Sequence, residues 1–300
     1  MLNQKVESSR TQSSAVDYSG LGKSGLRVVE VVITYAILIT GAIALMVPFL
    51  WMLTTSLKTE AEVMTWPIQW IPDQLMWQNY VEVFRRVPFA RYMGNSFFLA
   101  FMTIIGQLIG STLAGFGFAR MRFPGREVLF FVMLSTMMLP AWVVVVPHFM
   151  MFNAIDWLDT YKPIIVPAFF GSPFYIFLCR QAFLGISPEL EDAARIDGAS
   201  TFRIFLQIFL PLTKPTLATI AIFAFYASWN SLLYPLVYLR TQLKFPVSLG
   251  MRMFQTADPG VLHYPRMMAA AVIALLPALL IFSFAQRLFI QGTVMTGVEK

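Results

Sequence analysis

The chain has 300 residues, 57% of them hydrophobic and only 13% charged, with a mean hydropathy of +0.66. That charge fraction is about half the usual one, and 28 Phe, 18 Met and 7 Trp leave too little polar surface for a water-soluble globule, which excludes a soluble enzyme, a disordered chain and a disulfide scaffold. The net charge of +6 fits basic residues flanking membrane segments, and no run of Lys or Arg exceeds two residues, so no nucleic-acid partner is expected.

Residues 1–27 are rich in Ser, Gln and Gly, lack apolar periodicity and any signal-peptide h-region, and read as a flexible tail. Six stretches then reach the roughly 20 apolar residues that a helix needs to cross a bilayer. They lie at 31–53, 96–118, 128–150, 163–183, 215–239 and 267–288. The expected fold class is an all-α integral membrane protein, with a six-helix transmembrane domain at 28–292 and a short tail at 293–300. In the second stretch Gly106, Gly110 and Ala114 offer a small-residue face for close helix packing. The fourth is interrupted by Pro167, Gly171 and Pro173, tolerated at membrane depth only against neighbours or a cavity. It also holds the single cysteine, Cys179, read as a small packed hydrophobe. Arg120, Arg122 and Arg126 crowd one short loop, while Trp51, Trp66, Trp70, Trp77 and Trp157 fall at the opposite ends of the spans. This asymmetry places both termini in the cytoplasm.

Much catalytic chemistry is missing. The sequence contains no GxxxxGK[ST] phosphate loop, no HExxH, no CxxC and no GxSxG, and only His148 and His263 as histidines. The chain is therefore expected to hold no metal and no cofactor. The six apolar segments contain almost no ionisable groups, which weighs against an ion-coupled secondary carrier or an intramembrane enzyme.

The segment 187–211 is the informative one. Ser187 suits a helix cap and Pro188 its first position. Glu189, Glu191 and Asp192 favour the positive end of the helix dipole. Ala193 and Ala194 add no bulk, and Gly198, after Asp197, permits the left-handed turn that stops the helix. Ser200 caps a second helix expected to end at Pro211. The product is a short helix projecting from a membrane bundle, shaped to dock in a groove of another protein.

Asp192-Ala193-Ala194, Gly198, Ile208, Leu210 and Pro211 reproduce the spacing EAA-x3-G-x9-I-x-L-P. The chain thereby resembles the membrane subunits of bacterial ABC importers, and its flanks resemble the maltose-type carbohydrate branch of that family. WQNYVEVF at 77–84, FARMRFPGRE at 118–127 and WNSLLYPL at 229–236 are among the matching flanks. The first motif position is usually Glu and here is Asp192, and the closing TGVEK also departs from the usual ending. The resemblance implies the type I importer permease fold in a bacterial or archaeal cytoplasmic membrane. It also implies an assembly with a second homologous permease, two ATPase subunits that hold ATP and Mg, and an extracytoplasmic solute-binding protein. Glu191, Asp192, Ala193, Ala194, Asp197, Gly198 and Pro211 would form the ATPase-coupling loop. A carbohydrate or related polyol is the expected cargo, with an amino acid, peptide or anion as the alternative.

For the pathway, Ser228, Trp229, Asn230, Ser231 and Tyr234 combine aromatic faces, which stack on sugar rings, with groups that bond hydroxyls. Residues 230 and 234, four apart, are expected to share one helix face. The competing reading is that Asn230 bonds a neighbouring helix. The turn-rich segment 241–265, with Gly250, Asp258, Pro259 and Gly260, would by resemblance face the solute-binding protein.

Overall fold

The structure, a computed structural model, describes residues 19–256 and 263–295. The expected tail residues 1–18 and 296–300, together with Asp258, Pro259 and Gly260, lie outside the described residues. The chain divides into residues 1–51 and 52–300. The first body is formed by most of α1 (Ser19–Ser56), which contains Pro48. Residues 19–27, expected as tail, are already helical. Farther along, α1 carries a largely apolar exposed surface, with Leu45 82% exposed, as suits a helix solvated by lipid.

The second body begins with α2 (Glu60–Val63), whose first turn is closed by a capping box between Thr59 and Glu62. In α3 (Gln78–Arg86), Asn79 is buried and donates to the carbonyls of Ser56 and Lys58, both at 2.9 Å. Next comes α4 (Phe89–Arg120), 32 residues long and the centre of this body. The third apolar stretch is not one straight helix. Its first half, α5 (Arg126–Ser135), runs through a 3₁₀ turn and meets α6 (Ala141–Ala154) at a 103° bend. The bend falls at Leu139-Pro140, where Pro140 forces its predecessor out of the helical region.

The fourth stretch breaks where the sequence marked it. α7 (Lys162–Ile165) passes into a 3₁₀ turn at Val166–Phe170, Gly171 takes φ +77°, and α8 (Pro173–Leu184) restarts the helix. Then follow α9 (Pro188–Ile196), α10 (Thr201–Ile204), a π-helical turn Phe205–Phe209 and α11 (Leu210–Leu212). Pro211 therefore does not end its helix; the chain turns at Thr213, after which α12 (Lys214–Trp229) leaves at 78°. The wider π turn just ahead of Pro211 accommodates a residue without an N–H donor. The fifth span also stops earlier than expected, at Trp229 rather than residue 239. Its remainder forms the separate α13 (Leu233–Tyr238), because Pro235 cannot donate back across the Asn230–Leu232 turn. The short α14 (Val247–Gly250) and α15 (Met253–Thr256) precede α16 (Tyr264–Met295), which contains Pro277.

Among the described residues, four helices are long and apolar enough to span a membrane, or six when each bent pair counts as one span. Six is the number expected from the sequence. Within the second body the packing centres on α4. Its glycine face lies against the broken fourth span: a Cβ at Gly110 would sit 2.4 Å from the Gly171 nitrogen and from the Phe169 oxygen. Gly115 continues the close approach, here to Cys179, which is buried as expected. One aromatic core gathers Phe89, Tyr92, Phe225 and Trp229 with Ala269 and Ala270 of α16. The other gathers Phe116, Phe183, Phe205 and Phe209 at the far end of α4, beneath α9.

Candidate functional site

The predicted short helix exists, and both of its ends are built as the sequence implied. Ser187 Oγ accepts from the Glu189 amide at 3.3 Å, and Pro188 occupies the first position. At the other end Gly198 adopts φ +79°. The Gly198 amide donates to the Arg195 carbonyl at 3.0 Å and the Ala199 amide to the Ala194 carbonyl at 2.9 Å. This paired return is a Schellman motif, which satisfies the last carbonyls and stops the helix. Ser200 Oγ then accepts from the Arg203 amide and opens α10.

The short helix has two faces, and they do not divide the motif as expected. Glu191 points inward and is only 8% exposed. Its carboxylate lies 3.7 Å from Arg120 at the end of α4 and 2.8 Å from Arg195 one turn along α9. Arg120 also donates to the carbonyls of Phe183 (2.6 Å) and Ile186, at the end of α8, and its guanidinium lies over the Phe209 ring. Arg120 thus ties α4, α8, α9 and the π turn together. Ala194 packs on the aromatic core below, whereas Ala193 stands exposed. The two alanines therefore do not form one outward face. What α9 presents outward is Leu190, Asp192, Ala193, Ile196 and Asp197, with Ile196 87% exposed. A water-facing isoleucine would gain by burial.

A second charged group braces the same end. Arg180 of α8 forks onto Glu127 at 3.0 and 3.1 Å and lies over the Phe130 ring, while Arg126 reaches Glu127 at 2.9 Å. The basic cluster that signalled orientation in the sequence is thus also structural.

The proposed pathway residues are not brought together. Trp229 is buried, stacked on Phe225, and its indole N–H donates to the Ala274 carbonyl of α16 at 3.1 Å. It packs α12 onto α16 and offers no ring to a solute in this structure. Asn230 is the C-cap of α12 and bonds the Tyr226 carbonyl of its own helix, so it does not bond a neighbouring one. Tyr234 lies on α13 and stacks on Tyr238, so residues 230 and 234 do not share a helix face. Ser228 and Ser231 remain partly exposed.

Sequence reasoning missed the clamp at the opposite end of α4. Asp159, at φ +53°, accepts from the Arg240 amide, the Thr241 amide and the Thr241 hydroxyl, and pairs with Lys244 at 2.9 Å. Burial alone pushes its carboxyl up, but the bonds from Thr241, Arg240 and Lys244 outweigh that and hold it well below the usual carboxylate range. Arg91 and Asn95 of α4 hold the Leu243 carbonyl, and Ser96 accepts from the Val247 amide. The segment around 240–247 is thereby fastened to α4. No local motif announces it, because the partners lie 81 to 152 residues apart in sequence.

The chain matches the family described as binding-protein-dependent transport system inner membrane component over residues 106–294, and it belongs to that family. It is 33% identical over 255 residues to the arabinooligosaccharides transport system permease protein AraQ of Halalkalibacterium halodurans, covering 84% of this chain and 90% of that one. Identity is 30% over 266 residues to the diacetylchitobiose uptake system permease protein NgcG of Streptomyces coelicolor, covering 88% and 87%. It is also 30% over 269 residues to the sn-glycerol-3-phosphate transport system permease protein UgpE of Pectobacterium atrosepticum, covering 88% and 95%. The fold is similar to that of a bacterial ABC transporter involved in the import of the acidic polysaccharide alginate, with a TM-score of 0.78, 24% identity and coverage of 86% and 96%. The chain is a multi-pass membrane permease of a binding-protein-dependent transport system.

Proposed function

We propose that this chain is one of two permease subunits of an ATP-driven importer for a carbohydrate or related polyol, and that it couples to the ATPase through α9. One observation carries the coupling half of this reading. α9 is locked inward by Glu191 on Arg120 while Ile196, Asp192 and Asp197 are left for a partner. ATP and Mg would reside on two ATPase subunits in the cytoplasm, where α9 and both termini would also lie. Closure of the ATPases would displace α9, and Arg120 would pass that displacement to α4 and α8. The two permeases would then switch between two packings, biased by nucleotide. The cargo reading is supported by the relatives named for diacetylchitobiose, arabinooligosaccharides and sn-glycerol-3-phosphate.

Reconstitution with the cognate second permease, ATPase and solute-binding protein tests both halves. The expected result is ATP-dependent uptake of a neutral oligosaccharide or a polyol. Uptake of an amino acid or peptide but of no carbohydrate or polyol would overturn the cargo. Retention of the ATPase after Ile196→Asp together with Asp192→Lys would overturn the docking face.

A further inference from the structure

A cavity of about 690 Å³ opens between the end of α4, the loop that follows it and the inner edge of α9. Arg120, Arg122, Arg126 and Arg195 line it against only two carboxylates, Glu191 and Asp192. Of the carboxylates at or beside it, Glu191 and Glu127 are already shared between arginines, whereas Asp192 makes no ion pair among the described residues. Glu191 serves both Arg120 and Arg195, and Glu127 serves both Arg126 and Arg180. Arg122 is exposed and makes no ion pair among the described residues, and the Arg120 Nε is buried without an acceptor. The cavity thus holds more guanidinium than carboxylate, at the very level where the apolar helices end.

We propose that this cavity is a binding site for a phosphate group, bridging the loop after α4 to the short helix α9. Guanidinium forks match phosphate oxygens two at a time, and they are less strongly hydrated than ammonium groups, so a half-enclosed arginine set selects this chemistry. Basic pockets at helix ends on one membrane face are also where anionic headgroups settle. A bound phosphate would draw Arg122 and Arg195 toward one centre and so stiffen the joint between α9 and α4. Occupancy would thereby set how freely the short helix moves. The site is independent of the cargo, and it does not require the ATPase.

The phosphate could belong to a lipid headgroup or to a soluble ion, and the test separates the two. The full-length chain is placed in bilayers of phosphatidylcholine with phosphatidylglycerol, extracted, and its retained lipids are counted by native mass spectrometry. Inorganic phosphate binding is measured in parallel by titration in neutral detergent. Each is repeated with Arg122→Gln and Arg195→Gln, and with Arg122→Lys, which keeps the charge but loses the fork. Preferential retention of phosphatidylglycerol, reduced about fivefold for each arginine neutralised, supports a headgroup site. Saturable phosphate binding with the same dependence, without lipid preference, supports a soluble ligand. Variants that stay monodisperse yet bind lipid and phosphate as the wild type does overturn the proposal, as does a wild type that prefers neither.

Discussion

Gly198 is the sharpest test of the coupling helix, because two physical explanations for a glycine there predict different results. Its φ of +79° is left-handed, and a Cβ built on it would meet nothing within 4 Å. Space is therefore not the reason for glycine in this chain; backbone conformation is. A residue with a Cβ held left-handed costs roughly 1 kcal/mol, asparagine less because it tolerates that region, and a β-branched valine about 2 kcal/mol or more. The strain falls on two hydrogen bonds, from Gly198 to Arg195 and from Ala199 to Ala194. Losing them unwinds the last turn of α9 and swings Ile196 out of position. Gly198→Asn should therefore couple nearly as well as the wild type, and Gly198→Val should lose most coupling while inserting normally. Co-purified ATPase, solute-stimulated hydrolysis and uptake are the readouts. Wild-type values for Gly198→Val in all three would refute the lever. An asparagine variant as damaged as the valine one would refute the backbone argument and place the constraint on contact with a partner.

Other substitutions test the supports. Glu191→Gln keeps the shape but removes the charge shared by Arg120 and Arg195, and should cost about 1–3 kcal/mol, read as a lower melting temperature in detergent together with weaker ATPase retention. Gly110→Ala would place a methyl at 2.4 Å from two backbone atoms, about 1 Å inside ordinary contact, so α4 and the broken span must separate and the folded yield should fall. Asp159→Asn loses the ion pair with Lys244 and turns a donor toward donors, which should lower stability by about 1–3 kcal/mol. The wild-type carboxyl is depressed in the folded state, so its contribution is present above the ordinary carboxylate value and lost as pH falls through the depressed one; the Asn variant should show no such acid limb.

What could be read from the sequence was whatever depends on neighbours along the chain. Six apolar lengths, the breaks at Gly171 and Pro173, the Ser187 and Ser200 caps and the Gly198 stop all rest on local rules, and all are present in the structure. What was misread depends on facing. The pairing of residues 230 and 234 assumed a continuous helix that Pro235 interrupts. Trp229 suits a sugar chemically, but its exposure is decided by α16, 45 residues away. Glu191 sits among acidic residues that favour a helix start, and nothing local distinguishes the one that turns inward to Arg120.

The two clamps and the glycine face give α4 a particular mechanical place. At one end Arg91, Asn95 and Ser96 hold the segment around 240–247 by its backbone, and at the other Arg120 holds α8 and α9. Between them Gly106, Gly110 and Gly115 bring its backbone against the fourth span, onto the Phe169 and Cys179 side chains at Gly106 and Gly115 and directly onto backbone at Gly110. A helix of 32 residues is about 48 Å long, so it reaches from one clamp to the other without a break. Soft side-chain layers absorb small shifts by changing rotamers, whereas backbone-to-backbone contacts transmit them, because packed interfaces move between discrete arrangements rather than deforming smoothly. On the proposed coupling, a displacement of α9 would reach α4 through the Glu191–Arg120 ion pair, and α4 would carry it on to the fourth span through the close contact at Gly110. The consequence is measurable as a double-mutant coupling. Weakening both Glu191 and Asp159 should reduce transport by more than the product of the separate effects if α4 moves as one rod, and by only that product if its two ends act independently.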